Sequence, residues 1–412
     1  MSNIFTGLKV IDCATYIAAP AAATALGDFG AEVIKIERPP HGDPYRYIGL
    51  VPGMAISEYQ YCWILENRSK RGIALDFNQE SARQALYKLI ETADVFITNY
   101  QPQLQRKFGL EYETLRAINP RLIFASVTGY GETGPDGETP GYDASAYWAR
   151  SGLMGIVHNG NADPATSPCG FGDHPTSMAL YGAIVTALYR RQQTGEGMKV
   201  STALIANGVW SNSCQIQGAL LGAKRPPRWS RHNSINPLVN HYVTQDGKRM
   251  LFVFLVPGRD WINLCGSIGQ PHLAADPRFS TFPLRTQNSE ALVAILDKAI
   301  GSQPLEEWRT RFAASDLIWG LVPDLDEVAF DPQLEHAGAI DTMTDFPGGA
   351  QKTVSTPMVI AGVTKESPRY PPGIGQHTAE VLREAGFNEF EIAGMLESGA
   401  AVQQRREAVQ QE

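Results

Sequence analysis

The sequence predicts an α/β fold: a doubly wound parallel sheet in a large domain, followed by a smaller second domain. Two observations predict it. Strand-type and helix-type segments alternate from residue 8 to about residue 130, the pattern that builds parallel sheets through helical crossovers. After about residue 240 the style changes to a hairpin and then helices, ending near residue 330. With 412 residues, 43% apolar and 19% charged, the chain is long enough for both cores.

Leu8 to Asp12 reads as a strand, Ala18 to Phe29 as a helix that tolerates Pro20 in its first turn, and Glu32 to Glu37 as the next strand. Ile73 to Asp76 is strand-like. Gln79 to Thr92 is an amphipathic helix with Ala82, Leu86, Leu89 and Ile90 on one face. Asp94 to Thr98 and Leu122 to Val127 read as strands flanking a short helix, Glu111 to Ile118, which stops before Pro120. Thr128 to Tyr142 and His158 to Gly172 read as loops, and Pro175 to Arg191 as a buried helix. Residues 225 to 240 read as a linker. His241 to Thr244 and Arg249 to Leu255 are strands joined through Asp246-Gly247, with helices at about 260–268, 289–300 and 305–314. Strand-like Val359 and Ile360 and a helix from Thr378 to Ala385 close the fold. The tail from Ala401 reads as polar and frayed.

Composition narrows the function. Net charge is −8, and the densest basic clusters, Arg68 to Arg71 and Lys224 to Arg228, are short, which argues against a nucleic-acid partner. The 5 cysteines form no C-x-x-C pair, the pattern of free thiols in a reducing compartment. No apolar run reaches the roughly 18 residues of a membrane span, and the N-terminus does not read as a signal peptide. No membrane partner and a cytoplasmic location are therefore expected. The 8 histidines lack metal-ligand spacing, so no metal site is expected. Gly129-Tyr130-Gly131-Glu132-Thr133-Gly134 fits G-x-G-x-x-G, but Pro135 to Pro140 cannot open the helix that would hold a pyrophosphate. The first strand–helix turn, Thr15 to Pro20, has no glycine. A nicotinamide or flavin is not expected.

Two regions remain as candidate sites. Ala18, Ala19, Ala21 and Ala22 either let a phosphate approach the helix N–H groups or simply pack the helix close to the sheet. Arg38 ends the neighbouring strand on the side where ligands bind such sheets, or is a solvated surface residue. Asp173, after Gly170-Phe171-Gly172, reads locally either as the N-cap of the following helix, with Pro175 just inside, or as a carboxylate nucleophile on a glycine-rich loop. His174 is read as structural.

Several motifs in order extend over essentially the whole chain: Gly7-Leu8-Lys9-Val10-Ile11-Asp12, Leu26 to Pro39, Gly42-Asp43, Asn67-Arg68-Ser69-Lys70-Arg71, Asn99-Tyr100, Asn119-Pro120-Arg121, Gly172-Asp173, Thr194-Gly195-Glu196-Gly197 and Gly375-Gln376-His377-Thr378. Together they resemble the CaiB/BaiF, or class III CoA-transferase, family. The resemblance implies a Rossmann-like CoA-binding domain over residues 1–225 and 335–412, a smaller inserted α+β domain over 226–334, and an interlocked homodimer. It implies an acyl-CoA donor and a carboxylic acid acceptor, with coenzyme A as substrate and no tightly bound cofactor.

By motif position Asp173 becomes the catalytic aspartate, forming a mixed anhydride and then an enzyme-bound CoA thioester. The matching CoA-contact positions are Tyr16, Ile17, Ala18, Arg38, Lys70, Asn99, Tyr100, Lys107 and Phe108, with Tyr142 near the substrate carboxyl. The region Leu251 to Arg259 lacks the glycine run of formyl-CoA-transferase relatives, which argues against oxalate or formate. Gly141-Tyr142-Asp143 replaces the Gly-His-Asp of the family's racemases, and a tyrosine is too weak an acid to be the second base near neutral pH. Competing readings are an isomerase of the same family, moving CoA within one acid or racemising a 2-methylacyl-CoA, and a non-catalytic acyl-CoA-binding protein.

Overall fold

The computed structural model describes residues 3–160, 162–224 and 229–404. Part of the expected linker and basic cluster (225–228), with the predicted domain boundary there, and the end of the tail (405–412) lie outside the described residues. These form two compact units, one within Met1–Ile156, Thr166–Leu221 and Gln333–Glu412, the other within Val157–Ala165 and Gly222–Pro332.

The first unit holds a seven-stranded sheet: β1 (Lys9–Cys13), β2 (Glu32–Glu37), β3 (Arg71–Leu75), β4 (Val95–Thr98), β5 (Ile123–Thr128), β6 (Met198–Ala203) and a last strand, Ala401–Val402. Its order is last strand-β3-β2-β1-β4-β5-β6, parallel except for the last strand. This is the doubly wound order, and the direction of winding reverses between β1 and β4, where a crevice opens at the carboxyl ends of the strands.

The strands alternate faces with period two. Ile11, Ile34, Ile73, Phe96 and Phe124 face one core with α3 (Glu80–Thr92), while Val10, Val33, Val95, Ile97 and Ile123 face the other. That second core is closed by α1 (Ala18–Gly27) and α6 (Asp173–Thr194). Ala18, Ala19, Ala22 and Ala23 bring α1 close to the sheet, so the alanines serve packing, with Ala18 also bordering the crevice.

Four expectations are corrected. The chain at Ala401–Val402 is not frayed: it adds an antiparallel strand to Leu75 and Ala74, and Thr378 donates to the Val402 carbonyl. Val359 and Ile360 are not a strand, because Pro357 and Gly362 bound a tight turn in which the Val363 N–H bonds Ile360. The second strand of the hairpin ends at Phe252: Val253 and Phe254 donate away to Ile318 and Leu238. Finally, α6 is only half-buried, with Tyr189 64% exposed. The Met198–Ala203 strand, at the sheet edge, went unread.

In the second unit, His241–Val243, Arg249–Phe252 and Trp319–Val322 form a three-stranded antiparallel sheet, covered by helices that include Arg259–Ser267, Ser289–Ile300 and Leu305–Ala313.

Charges are buried at the carboxyl ends of β1 and β2. Asp12 and Lys35 are register partners, and both side chains are fully buried. Lys70 sits beside them, bonding Asp12 at 2.8 Å, the Pro20 carbonyl at 2.9 Å and Asn67 at 3.1 Å. Lys35 bonds the Ala14 carbonyl and pairs with Asp43 at 3.0 Å. The other Asp43 oxygen accepts from the Tyr16 N–H at 3.1 Å and the Tyr45 N–H at 3.0 Å. Glu37 completes the cluster, taking Arg46 through two 2.7 Å bonds and the Asp43 N–H at 2.9 Å. Removing one partner from such a buried pair strands the other charge. Asp43→Ala is expected to lower unfolding free energy by about 3–5 kcal/mol, read as an earlier transition in urea. A transition at the wild-type midpoint contradicts this assignment.

Candidate active site

The crevice is a cavity of about 470 Å³. Its floor is the turn after β1, and one side is the turn after β4. Asn99 binds the first turn as a backbone would, accepting from the Thr15 N–H at 2.9 Å and donating to the Thr15 carbonyl at 2.7 Å. The next residue, Tyr16, has φ of 63°, a left-handed conformation rare for a bulky side chain. It persists because its surroundings over-determine it. Asp43 holds its N–H, Asn99 holds its neighbour, and its ring packs edge-on against Tyr142 at 5.5 Å. Burial first, and a hydrogen bond to Tyr142 second, push the Tyr16 hydroxyl up to about 12, so it stays protonated.

Asp173 enters from above. It is the first residue of α6, with Gly172 as the cap residue and Thr176 bonding the Gly172 carbonyl through its hydroxyl at 2.8 Å. The N-cap reading of Asp173 is therefore corrected. The helix begins two residues earlier than expected because Pro175 falls within the first turn, where its missing N–H has no partner to lose. The Asp173 carboxyl lines the cavity and makes no hydrogen bond or ion pair among the described residues. Burial, then the neighbouring Asp143 charge, pushes it up to about 7, while His174 acts in the opposite direction.

His174 is more than a spacer. Its two ring nitrogens meet the Glu66 carboxylate at 2.7 Å and the Gly170 carbonyl at 2.9 Å. Both partners accept, so both nitrogens donate and the ring is an imidazolium, held up to about 9 chiefly by Glu66. Glu66 is buried on the helix Tyr61–Asn67. The pair thus ties the loop before Asp173 to a second helix. On the other side, Asp143 accepts from the Gly172 N–H at 3.2 Å. Asp143 opens a π-helical turn, Asp143–Ala149, an irregularity common at functional sites.

Of the residues singled out from the sequence, Tyr16, Ile17, Ala18, Asn99, Tyr100, Tyr142 and Asp173 all border this one cavity. Arg38 is exposed at the end of β2 and acts electrostatically on Tyr100. Lys107 and Phe108 lie on the helix Pro102–Phe108, off the cavity wall, with Lys107 exposed and 4.9 Å over the Phe108 ring. Lys70 is corrected: its ammonium is fully buried and all three donors are occupied, so it supports the site from within and cannot touch a ligand there. Asp43, Glu66, Asp143, Tyr45 and Ile48 were missed. The signal for the first was available: a lysine and an aspartate inside the apolar runs Val33-Ile34-Lys35-Ile36 and Val10-Ile11-Asp12-Cys13 require buried partners.

Comparison with known proteins shows the family. The profile described as CoA-transferase family III matches residues 5–378. (R)-2-hydroxy-4-methylpentanoate CoA-transferase of Clostridioides difficile is 32% identical, over 96% of this chain and 98% of that protein. Succinyl-CoA:glutarate CoA-transferase of Homo sapiens is 33% identical, over 98% of this chain and 91% of that protein. The crystal structure of a CaiB/BaiF family protein from Brucella suis superposes with a TM-score of 0.81 at 29% identity, covering 93% of this chain and 100% of that one. The chain belongs to CoA-transferase family III, a class of enzymes. No helix among the described residues is long and apolar enough to cross a membrane, and no group of three or more His, Cys, Asp or Glu residues among them is placed to hold a metal ion.

Gly172 is the tightest point of the Asp173 loop: a Cβ there would meet the Tyr147 ring at 2.5 Å. Gly172→Ala is expected to displace Asp173 and cost about 100-fold in turnover while circular dichroism stays that of the wild type. Full activity contradicts the positioning role.

Proposed function

We propose that the protein transfers coenzyme A from an acyl-CoA to a free carboxylic acid, with Asp173 as the covalent nucleophile. The observation that carries the reading is the Asp173 carboxyl, without a hydrogen-bond partner and facing the cavity, in a chain of this family. An Asp173 oxygen attacks the donor thioester carbonyl, and CoA leaves as thiolate to give a mixed anhydride. The thiolate attacks the aspartyl carbonyl and expels the donor acid, which leaves with an oxygen that belonged to Asp173. An oxygen of the acceptor carboxylate then attacks the aspartyl thioester and releases the thiolate. The thiolate attacks the acceptor carbonyl, giving the new acyl-CoA and a free Asp173 carboxylate. No electron or net proton is exchanged, and each step trades one acyl derivative for another of similar energy, which is covalent catalysis.

The chain's groups suit this course. A carboxylate with a raised pKa is more basic and more nucleophilic, and the adjacent imidazolium keeps a usable fraction of it ionised at neutral pH. For CoA, the reading assigns contacts to Tyr16, Ile17, Ala18, Tyr100 and Phe108, keeps Arg38 and Lys107 for its phosphates, gives Asn99 the role of fixing the turn, and sets Tyr142 near the substrate carboxyl. It further assigns CoA to a large domain of 1–225 and 335–412, with 226–334 as the smaller inserted domain. It also expects an interlocked homodimer in the cytoplasm, with CoA as substrate and no tightly held cofactor.

Incubation with a panel of acyl-CoA donors, followed by hydroxylamine and peptide mass spectrometry, is expected to mark Asp173 and to leave Asp173→Ala unmarked. No adduct with any donor, while CoA still binds, contradicts the reading. Because the nucleophile must be ionised, kcat/KM is expected to fall as pH drops through about 7. His174→Gln removes a charge that lowers the Asp173 pKa, so this acid limb is expected to move to higher pH. A limb that stays in place contradicts the electrostatic role of His174.

A further inference from the structure

The acid exchanged at Asp173 was not legible from the sequence, but the cavity around it bears on the choice. Any such choice rests on the CoA-transferase reading, in which Asp173 is the point where acids enter and leave.

Ile17 borders the Asp173 loop directly, its Cδ1 lying 3.2 Å from where a Cβ on Gly170 would stand. Ile17 and Tyr45 belong to one apolar cluster, against which Tyr16, Ile48 and Met54 pack. Tyr16, Ile17, Tyr45 and Ile48 all open onto the cavity, and Leu204 closes it from the start of the helix Leu204–Ser211. This part of the wall is aliphatic and aromatic, while Thr15, Asn99, Gln101, Thr128 and Thr139 line other parts of it.

Every residue of acidic or basic type lining the cavity is acidic: Glu138, Asp143 and Asp173. Of the basic side chains nearby, Arg38 and Lys107 are exposed and assigned to the CoA phosphates, and the following are already engaged. Lys35 and Lys70 are fully buried with Asp12 and Asp43. Arg46 is taken by both Glu37 oxygens and stacks 3.7 Å over Trp63. Arg106 pairs with Glu138, Arg150 with Asp136, and His174 with Glu66. A second carboxylate on a bound acid would leave water for an apolar wall facing other carboxylates, and burying an unpaired charge is strongly unfavourable. An alkyl or aryl body would instead gain from burial.

We propose that the cavity selects monocarboxylic acids with an apolar branched or aromatic body and disfavours short dicarboxylic acids. Ile48 is the residue of the wall that sets this choice, standing beside Tyr45 on the 3-10 turn Pro44–Leu50.

Two measurements on the full chain test it. In the first, kcat/KM is compared for 4-methylpentanoate, 3-phenylpropanoate, succinate and glutarate as acceptors from a panel of acyl-CoA donors. The monocarboxylic acids are expected to lead by about 10-fold to 100-fold. The second is calorimetric binding of the same free acids, which does not depend on turnover. If no acid accepts CoA but the monocarboxylic acids bind preferentially, the transferase reading falls and the selectivity stands. If succinate or glutarate turns over or binds as well as 3-phenylpropanoate, the selectivity is overturned. Ile48→Arg supplies the missing cation and is expected to shift the ratio toward the dicarboxylic acids. An unchanged ratio rules out Ile48 as the selector.

Discussion

The Asp43 carboxylate is the point on which the rest of the site depends. One oxygen ion-pairs with a lysine that rises from the middle of a central strand, and the other receives the N–H groups of Tyr16 and Tyr45. A single buried anion thereby joins the interior of the sheet to both aromatic walls of the cavity. The chain reaches this position through Gly42 (φ 72°), where a Cβ would stand 2.5 Å from Glu37 Oε1. Buried ion pairs contribute little net stability compared with a well-packed apolar core, but breaking one is costly, so they enforce a geometry. Here the enforced geometry is a left-handed tyrosine at the point where a doubly wound sheet opens.

The same logic governs the nucleophile. Asp173 is held between two other charged residues that act in opposite directions. Asp143 raises its proton affinity, and His174, fixed as an imidazolium by Glu66 and the Gly170 carbonyl, lowers it. A fully solvated carboxylate would be a weak nucleophile, and one buried without His174 would be protonated at neutral pH. The observed arrangement lies between these limits. It also explains the glycines: the ring of His174 and the ring of Tyr147 occupy the space where side chains at 170 and 172 would go.

Much of the fold was legible because the strands of a parallel sheet are short apolar runs separated by amphipathic helices. Val33-Ile34-Lys35-Ile36 and Val95-Phe96-Ile97 announce themselves, as does the helical face of Ala82, Leu86 and Leu89. The Met198–Ala203 strand did not, because as the edge strand it alternates Lys199 and Ser201 with half-buried neighbours. At the site, the residues of both turns line one cavity, a consequence of strand order. What escaped notice was long-range and electrostatic. Glu66 lies 108 positions from His174, and no local pattern links them. Lys70 stood as a CoA contact by motif position alone, whereas its three donors are spent inside the protein. Asp173 looked like a cap because capping and chemistry favour the same residue in the same place, and only the start of the helix separates the two.

The covalent role of Asp173 makes one demand on the atoms themselves. During a cycle the aspartate surrenders one oxygen to the departing donor acid and regains one from the acceptor. A single turnover with an acceptor acid carrying heavy oxygen in its carboxylate, followed by digestion and mass spectrometry, tests this directly. The account predicts one heavy oxygen in the peptide containing Asp173, located on that residue. Transfer of CoA to the labelled acid with no label in Asp173 would contradict it.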